Sequence, residues 1–356
     1  MATLNNSIKY LSLMQAARLL AATGSNVTYL LRGEPGIGKT TMLKMLASQF
    51  AATHEPIYAD APVMDIPDVA MPWVDKDNNT SYYAPSSLWR MNSPKPKIVM
   101  VDEIGKAAGP TKLIFTRMLL EHTLGDNAFP AGTIVFATTN LSTDGVGDVM
   151  QAHINNRIST IYVRKPTAVE WCAWASEHGV NPMIIAWVHQ NPQVLASYTD
   201  GNQNENPYIF NPKTNSGAFV SPRSLDKAGH IVDGRGVLTD DEVMAALDGC
   251  VGARASADMA AHFDLGDQLP SWGKVENDPT GVKMPTSVAA QFLLLFGSIQ
   301  RVDTKNLNAH MKFIDRFPAE MGAVWMRSLA QMKSKAAFVL SNKEFTKRAV
   351  AIGDIL

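Results

Sequence analysis

The sequence has few cysteines, almost no net charge and no long hydrophobic run. Cys172 and Cys250 are too few and too far apart to form a disulfide framework or a zinc site. The formal net charge of −1 provides no general attraction to nucleic acid or to an anionic membrane. Apolar runs such as residues 292–296 are far shorter than a membrane-spanning helix. The first residues also lack the basic-then-apolar order of a signal peptide, so we expect a protein of the reducing cytoplasm.

The chain has material for two or three packed units, since 46% of its 356 residues are hydrophobic. Apolar, β-rich segments predict buried strands at residues 27–32, 57–60, 98–101 and 133–138. Helical spacing predicts helices at residues 5–23, 39–50 and 110–122. Strands that alternate with helices predict a parallel sheet with helices on both faces.

Two other parts of the chain have a different character. Residues 61–96 are rich in proline and predict an irregular connection. After about residue 164 the sequence predicts mostly helices, which continue to Leu356. Polar loops at residues 198–217 and 269–285 interrupt that helical part.

The strongest motif is the glycine-rich pattern GxxxxGK[ST], which follows a predicted strand and opens a predicted helix. In such a loop the backbone N–H groups point at phosphate oxygens. The lysine reaches the β- and γ-phosphates, and the threonine hydroxyl can ligate Mg²⁺. A glycine turn that only caps a helix is the alternative. The predicted nucleotide-binding residues are Gly33, Glu34, Pro35, Gly36, Ile37, Gly38, Lys39, Thr40 and Thr41.

The second motif is a buried strand, residues 98–101, that ends in the two carboxylates Asp102 and Glu103. It matches the Walker B pattern, and we expect its strand to lie directly beside the strand that precedes the glycine-rich loop. Asp102 would then hold Mg²⁺ together with Thr40. Glu103 would orient and polarise the attacking water. A strand that simply ends in Asp-Glu is the alternative, but the preceding phosphate loop favours the functional interpretation.

The third motif is Asn140, which follows Thr138 and Thr139 at the end of the next apolar strand. A polar side chain there would lie between the two preceding strand ends. It could hydrogen-bond the γ-phosphate or the attacking water. An asparagine that only starts a turn is the alternative.

This order of motifs resembles that of AAA+ ATPases, with Asn140 at the position called sensor 1. Within that family the chain looks most like the MoxR-like and dynein-related branch. The finer resemblance is carried by residues 64–72, by the hairpin-like segment 121–132 and by the Ser-Pro-Arg-Ser sequence at 221–224. It covers about residues 25–235, and the last hundred or so residues resemble nothing that we can name.

The resemblance implies roles for two arginines. Arg223, after Ser221 and Pro222, corresponds to sensor 2 and would contact the γ-phosphate from a helical lid. Arg157 would be the arginine finger that acts in the site of a neighbouring subunit. The family's Asp-Arg-Phe sequence is replaced here by Asn-Arg-Ile, so Arg164 remains the alternative finger, or a cap at the end of the core.

Two apolar segments have competing interpretations. Residues 69–74 fall where AAA+ rings place a pore loop, and Met71 and Trp73 could grip a substrate chain there. The same residues could simply pack a turn. The segment around Phe129 could likewise contact a client or only pack a hairpin.

We therefore expect an α/β fold, a P-loop NTPase parallel-sheet core of the AAA+ type, at residues 1–165. An all-helical lid domain at 166–265 and a helical C-terminal extension at 266–356 would follow. The resemblance implies an ATPase, with ATP and Mg²⁺ as ligands. It would form a homo-oligomer, usually a hexameric ring, and remodel or activate a client protein or complex. A partner with a von Willebrand factor A domain is common in this branch.

Two other functions remain open. One is a nucleic-acid motor or translocase of the McrB-like kind, although the near-neutral charge and the lack of a basic cluster oppose it. The other is a nucleotide-gated scaffold with little turnover, which Glu103 opposes because a pure switch can dispense with a catalytic carboxylate.

Overall fold

A computed structural model describes residues 8–141, 157–212, 217–267 and 269–353. The chain divides into two compact units, residues 1–165 and 166–356. We call them the N-terminal and the C-terminal unit. Residues 1–7, 213–216, 268 and 354–356 lie outside the described residues, as do residues 142–156, which include positions 153–156 of the predicted finger motif.

The N-terminal unit contains a six-stranded sheet in which every paired strand is parallel. Its strands are β1 (Tyr10–Leu11), β2 (Tyr29–Arg32), β3 (Glu55–Asp60), β6 (Lys97–Asp102), β9 (Ile134–Thr139) and β10 (Ser159–Val163). Their spatial order is β1-β10-β2-β9-β6-β3. The expected adjacency of β2 and β6 is therefore wrong, because β9 lies between them. Crossover connections can skip a place in a parallel sheet, so chain order does not fix strand order.

Helices cover both faces of this sheet. The helices of the unit are α1 (Leu13–Thr23), α2 (Thr41–Gln49), α3 (Ile66–Val69) and α4 (Gly109–Glu121). On one face the odd-numbered residues of β2 join α1 and α2 in a buried apolar cluster. On the other face Leu30 and alternate residues of β6 and β9 pack with α4. Strands buried on both faces read as continuous apolar runs, which is why β6 and β9 were predictable from the sequence.

Two further pairs of strands are antiparallel hairpins. β4 (Ala70–Asp75) pairs with β5 (Thr80–Pro85), and β7 (Thr123–Leu124) pairs with β8 (Asn127–Ala128). The prediction of an irregular stretch over residues 61–96 is therefore wrong for its middle part. Pro72 is tolerated because a two-stranded hairpin has only edge strands. Phe129 is buried in the core beside the second hairpin, which supports the packing interpretation of that segment.

The start of one predicted helix differs from the structure, and two strands were not expected from the sequence. The predicted helix over residues 5–23 begins only at Leu13, where Ser12 and Gln15 form a capping box. Tyr10 and Leu11 belong instead to β1, which extends the sheet beside β10. No strand was expected at β10, whose polar first residues hide the β-rich sequence Ile-Tyr-Val.

Helices and the loops between them make up the C-terminal unit, and no strand occurs among its described residues. Its helices are α5 (Ala168–Glu177), α6 (Pro182–Gln190), α7 (Pro222–Asp233), α8 (Asp240–Val251), α9 (Ala253–Asp267), α10 (Trp272–Asn277), α11 (Val288–Arg301), α12 (Leu307–Ile314), α13 (Ala319–Gln331), α14 (Ala336–Ser341) and α15 (Lys343–Gly353). One buried apolar cluster runs from Ala168 to Phe345. Trp171 and Trp187 are part of this core, and Trp174 packs against it.

Within the described residues, no helix combines the length and apolarity needed to cross a membrane. Cys172 is buried, and burial raises the pKa of its thiol to about 12. A thiol with that pKa stays protonated near neutral pH and is a poor nucleophile.

Candidate functional site

The glycine-rich loop between β2 and α2 has a conformation that only glycine permits at several positions. A Cβ atom added to Gly33 would lie 2.6 Å from Ile37 Cδ1 and 2.7 Å from the Val163 carbonyl oxygen. Gly36 and Gly38 have φ angles of 74° and 98°, in the left-handed region that other residues rarely adopt. These glycines let the backbone curl into a loop that ends at the first turn of α2.

Lys39 lies across this loop rather than out in solvent. Its Nζ donates hydrogen bonds to the carbonyl oxygens of Gly33 and Glu34, at 2.7 and 2.8 Å. It also donates to Asn140 Oδ1 at 2.8 Å. The structure thus brings the predicted phosphate-binding lysine and the predicted sensor asparagine into direct contact.

Asp102 ends β6 and receives three hydroxyl hydrogen bonds. Thr40 Oγ1 and Tyr58 OH each donate to Oδ2 at 3.0 Å, and Thr138 Oγ1 donates to Oδ1. The carboxylate is 7% exposed. Asp102 and Thr40 therefore present hard oxygen atoms side by side, which is the donor type that Mg²⁺ requires.

The fit to Mg²⁺ can be tested against the wider surroundings. Among the described residues no group of three or more histidine, cysteine, aspartate or glutamate side chains could hold a metal by itself. Mg²⁺ in nucleotide sites commonly uses one or two protein oxygens, with substrate phosphates and water as the other ligands. Thr40 and Asp102 fit that type of site, and they do not fit a closed structural metal site.

Glu103 directly follows β6 in a left-handed conformation, with φ 50° and ψ 42°. Its backbone N–H donates to Thr138 Oγ1 at 3.1 Å. Its side chain, 33% exposed, forms an ion pair with Lys106. The strand thus ends directly before Glu103, and the Glu103 carboxylate remains partly accessible.

A buried ion pair also involves the glycine-rich loop. Glu34 Oε2 lies 3.6 Å from Lys165 Nζ, and both side chains are almost fully buried. Lys165 is the last residue of the N-terminal unit. Glu34 therefore contributes its carbonyl to Lys39 and its carboxylate to Lys165, and Ile37 fills the core beneath the loop.

The predicted arginines occupy different surroundings. Arg157 is exposed, two residues before β10. The Arg164 backbone N–H donates to Leu11 O at 2.9 Å, and its Nη1 donates to Lys165 O at 3.2 Å. Arg223 is exposed at the second position of α7 in the C-terminal unit, after the capping box of Ser221 and Ser224.

The structure therefore joins Lys39, Thr40, Asp102, Glu103 and Asn140 at the carboxyl end of the sheet. With Thr138, we call these residues the sheet-edge cluster. Sequence reasoning did not assign a role to Thr138, Tyr58, Lys106 or Lys165. For Thr138, a hydroxyl inside a buried strand was an available signal.

A parallel sheet with a phosphate-type loop after one strand and a carboxylate pair after another defines the P-loop NTPase class of fold. Residues 29–161 match the protein family described as ATPase family associated with various cellular activities (AAA). That part of the chain therefore resembles an AAA ATPase domain, and it lies in a P-loop parallel-sheet core that is followed by a helical C-terminal region.

Solved structures show remote similarity. NtrX from Brucella abortus in complex with ADP gives a TM-score of 0.39 at 13% identity, over 98% of this chain and 69% of that chain. The RuvB Holliday junction branch migration motor from Thermotoga maritima gives 0.36 at 15% identity, over 90% and 86%. Similarity this remote does not carry either protein's activity over to this chain. No curated protein matches the sequence.

Proposed function

We propose that the chain binds ATP with Mg²⁺ and hydrolyses it to ADP and phosphate. The observation that carries this proposal is the sheet-edge cluster, in which a phosphate-loop lysine, two carboxylates and an asparagine meet at one edge of the sheet. The match of residues 29–161, which include the cluster, to the AAA family also supports it. ATP as the nucleotide, rather than GTP, rests on the family resemblance.

Each residue of the cluster has a separate task in this reaction. Gly33 to Thr41 cradle the phosphates with backbone N–H groups, and Lys39 neutralises charge on the β- and γ-phosphates. Glu103 accepts a proton from the water that attacks the γ-phosphorus, while the bond to the β–γ bridging oxygen breaks. Asn140 hydrogen-bonds the γ-phosphate or that water. Bound Mg²⁺, held by Thr40 and Asp102, would neutralise the negative charge of the phosphate oxygens.

The arginines extend the proposal beyond one subunit. Arg157 acts in trans on the site of a neighbouring copy, in a homo-oligomeric ring that is hexameric by family resemblance. Its exposure makes it available to such a partner. Arg164 is the weaker candidate, because its guanidinium hydrogen-bonds the neighbouring Lys165 carbonyl. Arg223 senses the γ-phosphate from the lid, so that hydrolysis is converted into motion of the ring.

The proposed client is a protein or protein complex, as in the MoxR-like branch, where a von Willebrand factor A domain protein often assists. The β4–β5 hairpin supports contact with a protein, since Met71 and Trp73 are 54% and 60% exposed. Its tip contains Asp75 and Asp77 with only Lys76 of opposite charge. That balance favours an apolar peptide over a nucleic-acid backbone.

The test of this proposal is the ATPase rate as a function of protein concentration, with oligomer mass recorded in parallel. We expect the specific activity to rise as the ring forms. Arg157→Ala should assemble yet hydrolyse about 10³-fold more slowly, as for a lost arginine finger. Arg164→Ala serves as the matched control and should retain activity. A flat concentration dependence and an active Arg157→Ala protein would refute the shared site.

A further inference from the structure

We propose that Thr138 is a positioning residue for hydrolysis, which fixes Asp102 and Glu103 relative to each other through one hydroxyl group. The inference rests on the proposed ATPase function and adds a residue to its machinery. Thr138 would not contact the substrate. It would act only through the two carboxylate residues that follow β6.

The direction of its two hydrogen bonds follows from chemistry. The Glu103 backbone N–H can only donate, so Thr138 Oγ1 accepts from it at 3.1 Å. The single hydroxyl proton is then free to be donated to Asp102 Oδ1, which accepts as an ionised carboxylate. One hydroxyl therefore serves both residues at once, and neither hydrogen bond can be kept without the Thr138 oxygen.

The hydrogen bond from Thr138 to Asp102 restrains the direction in which the Asp102 carboxylate faces. With Oδ1 bonded to Thr138, the other oxygen, Oδ2, lies 3.0 Å from the Thr40 hydroxyl. Asp102 and Thr40 are the residues proposed to hold Mg²⁺. Without Thr138 the carboxylate would keep the bonds that Thr40 and Tyr58 donate to Oδ2 but would lose the restraint on Oδ1, so it could pivot about Oδ2.

The hydrogen bond from the Glu103 N–H to Thr138 supports an unfavourable backbone conformation at Glu103. Glu103 has a φ angle of 50°, which is uncommon for a residue other than glycine, asparagine or aspartate. Such conformations persist where the surrounding structure holds them in place. The bond from its N–H to Thr138 is one such restraint, and it acts directly on the residue whose side chain is proposed to activate water.

Thr138 is itself held rigidly. Thr138 is 0% exposed. It lies on β9, between β2, which precedes the phosphate loop, and β6, which ends at Asp102. A β-branched side chain in a strand has few accessible χ1 rotamers. The hydroxyl is therefore presented by the rigid sheet, two residues before Asn140 on the same segment.

The experiment compares Thr138→Val, which keeps the shape but lacks the hydroxyl, with Thr138→Ser, which keeps the hydroxyl. Thr111→Val is the matched control, because Thr111 is equally buried in α4 and lies outside the hydrogen bonds of the cluster. The readouts are kcat, the Kd of ATP, and amide hydrogen exchange of the peptide that contains Glu103.

Displacement of catalytic groups by about 1 Å can cost about 100-fold in rate, so we expect a kcat loss of that order in Thr138→Val. ATP affinity should change little, because the phosphate loop is intact, and the Glu103 peptide should exchange faster. Thr138→Ser and Thr111→Val should resemble the wild type in all three measurements.

Two results would overturn the inference. One is wild-type kcat and unchanged exchange in Thr138→Val, and the other is a Thr138→Ser protein as slow as Thr138→Val. Failure of the ATPase proposal looks different, because the wild type would then hydrolyse no ATP, or would match Glu103→Gln. The exchange measurement still decides the role of Thr138 in that case, since it needs no turnover. Should Thr138→Val fail to fold, Thr138→Ala removes the same hydroxyl without adding a methyl group.

Discussion

In the N-terminal unit the sheet-edge cluster joins hydroxyl and titratable side chains through hydrogen bonds, and the C-terminal unit contains a second cluster of this kind. The second, which we call the helical cluster, consists of Glu276, Ser298, His310 and Trp325. Trp325 Nε1 donates to Ser298 Oγ at 2.8 Å, Ser298 Oγ lies 2.8 Å from His310 Nδ1, and His310 Nε2 lies 3.3 Å from Glu276 Oε1.

By residue type the helical cluster is the more suggestive one, because serine, histidine and glutamate also form hydrolytic triads. Its geometry does not fit that chemistry. Ser298 and His310 are both 0% exposed, so no substrate can reach the hydroxyl. Ser298 also meets Nδ1 of the histidine and the carboxylate meets Nε2, whereas a triad uses the opposite arrangement.

The sheet-edge cluster differs in backbone and in accessibility. Its loop contains glycines with positive φ, and Glu103 has a left-handed conformation. Its water-activating candidate is one-third exposed. Strained backbone and an accessible carboxylate fit the proposed chemistry of the sheet-edge cluster, whereas a buried hydrogen-bonded network contributes to stability and to the specificity of packing.

The largest effect is expected in the sheet-edge cluster, at Glu103, and it concerns ATPase activity rather than stability. Glu103→Gln removes the proton acceptor but keeps the shape, so kcat for ATP should fall by about 10²- to 10⁴-fold. The free energy of unfolding should stay close to that of the wild type, since the side chain is partly exposed. Steady-state ATPase assays and urea unfolding measure both, with Glu121→Gln on the surface as the control. An unchanged low rate would favour the scaffold interpretation.

The next effect concerns binding. Lys39→Ala removes the ammonium group that lies across the phosphate loop, and a hydrogen bond to a charged group contributes about 1.5–3 kcal/mol. We therefore expect the affinity for ATP to fall by about 10- to 100-fold. Titration with a fluorescent ATP analogue would show this, and Lys44→Ala, exposed on α2, is the control. Equal affinity in both variants would contradict the assignment of the loop.

A smaller effect is expected in the helical cluster, on stability alone. Ser298→Ala leaves the Trp325 indole N–H and His310 Nδ1 without their buried partner, which should cost about 1–3 kcal/mol of unfolding free energy. Ser176→Ala, an equally buried serine of α5 outside the cluster, should cost less. ATPase activity per folded molecule should be unchanged. A Ser298→Ala protein that is as stable as the wild type but lacks ATPase activity would contradict this, because the helical cluster would then serve the reaction rather than stability.

The smallest effect is the dependence of stability on pH. Burial lowers the pKa of His310, although Glu276 opposes this shift. As pH falls below about 6.5, the unfolded chain therefore takes up a proton before the folded one does, and the free energy of unfolding decreases. One such group contributes at most about 1.4 kcal/mol per pH unit.

The control for this prediction is His310→Gln, which should show a shallower decrease between pH 7 and pH 5. A residual slope should remain, because burial also lowers the pKa of His122, His189 and His262. Equal slopes in urea unfolding of the two proteins would contradict the prediction, because they would show that folding does not change the pKa of His310.

The sequence predicted which polar residues meet at the sheet edge, because the motifs there are local. Asp102 and Asn140 lie at or directly after the end of a strand whose apolar run was visible, and Lys39 and Thr40 lie in the loop that follows another such strand. The order of the strands was not predictable, since it depends on crossovers between distant segments. That is why the expected adjacency of β2 and β6 failed, although Thr40 and Asp102 still meet at 3.0 Å.

Residues that act through long-range hydrogen bonds were the ones missed. Thr138 and Tyr58 reach Asp102 from β9 and β3, over separations of 36 and 44 residues along the chain. The helical cluster likewise joins α10, α11, α12 and α13. Nothing in local spacing marks such contacts. The β4–β5 hairpin was missed for a different reason, since its prolines hid a pairing that needs no third strand.

The central claim is that ATP bound at the sheet-edge cluster is hydrolysed there. A single-turnover experiment tests it most directly, with radiolabelled ATP, excess wild-type protein at concentrations that support assembly, and either Mg²⁺ or EDTA. The account predicts conversion of the bound ATP to ADP and phosphate with Mg²⁺, and intact ATP with EDTA. Recovery of intact, bound ATP in the presence of Mg²⁺ at every protein concentration would contradict it, and the protein would then be a nucleotide-gated scaffold.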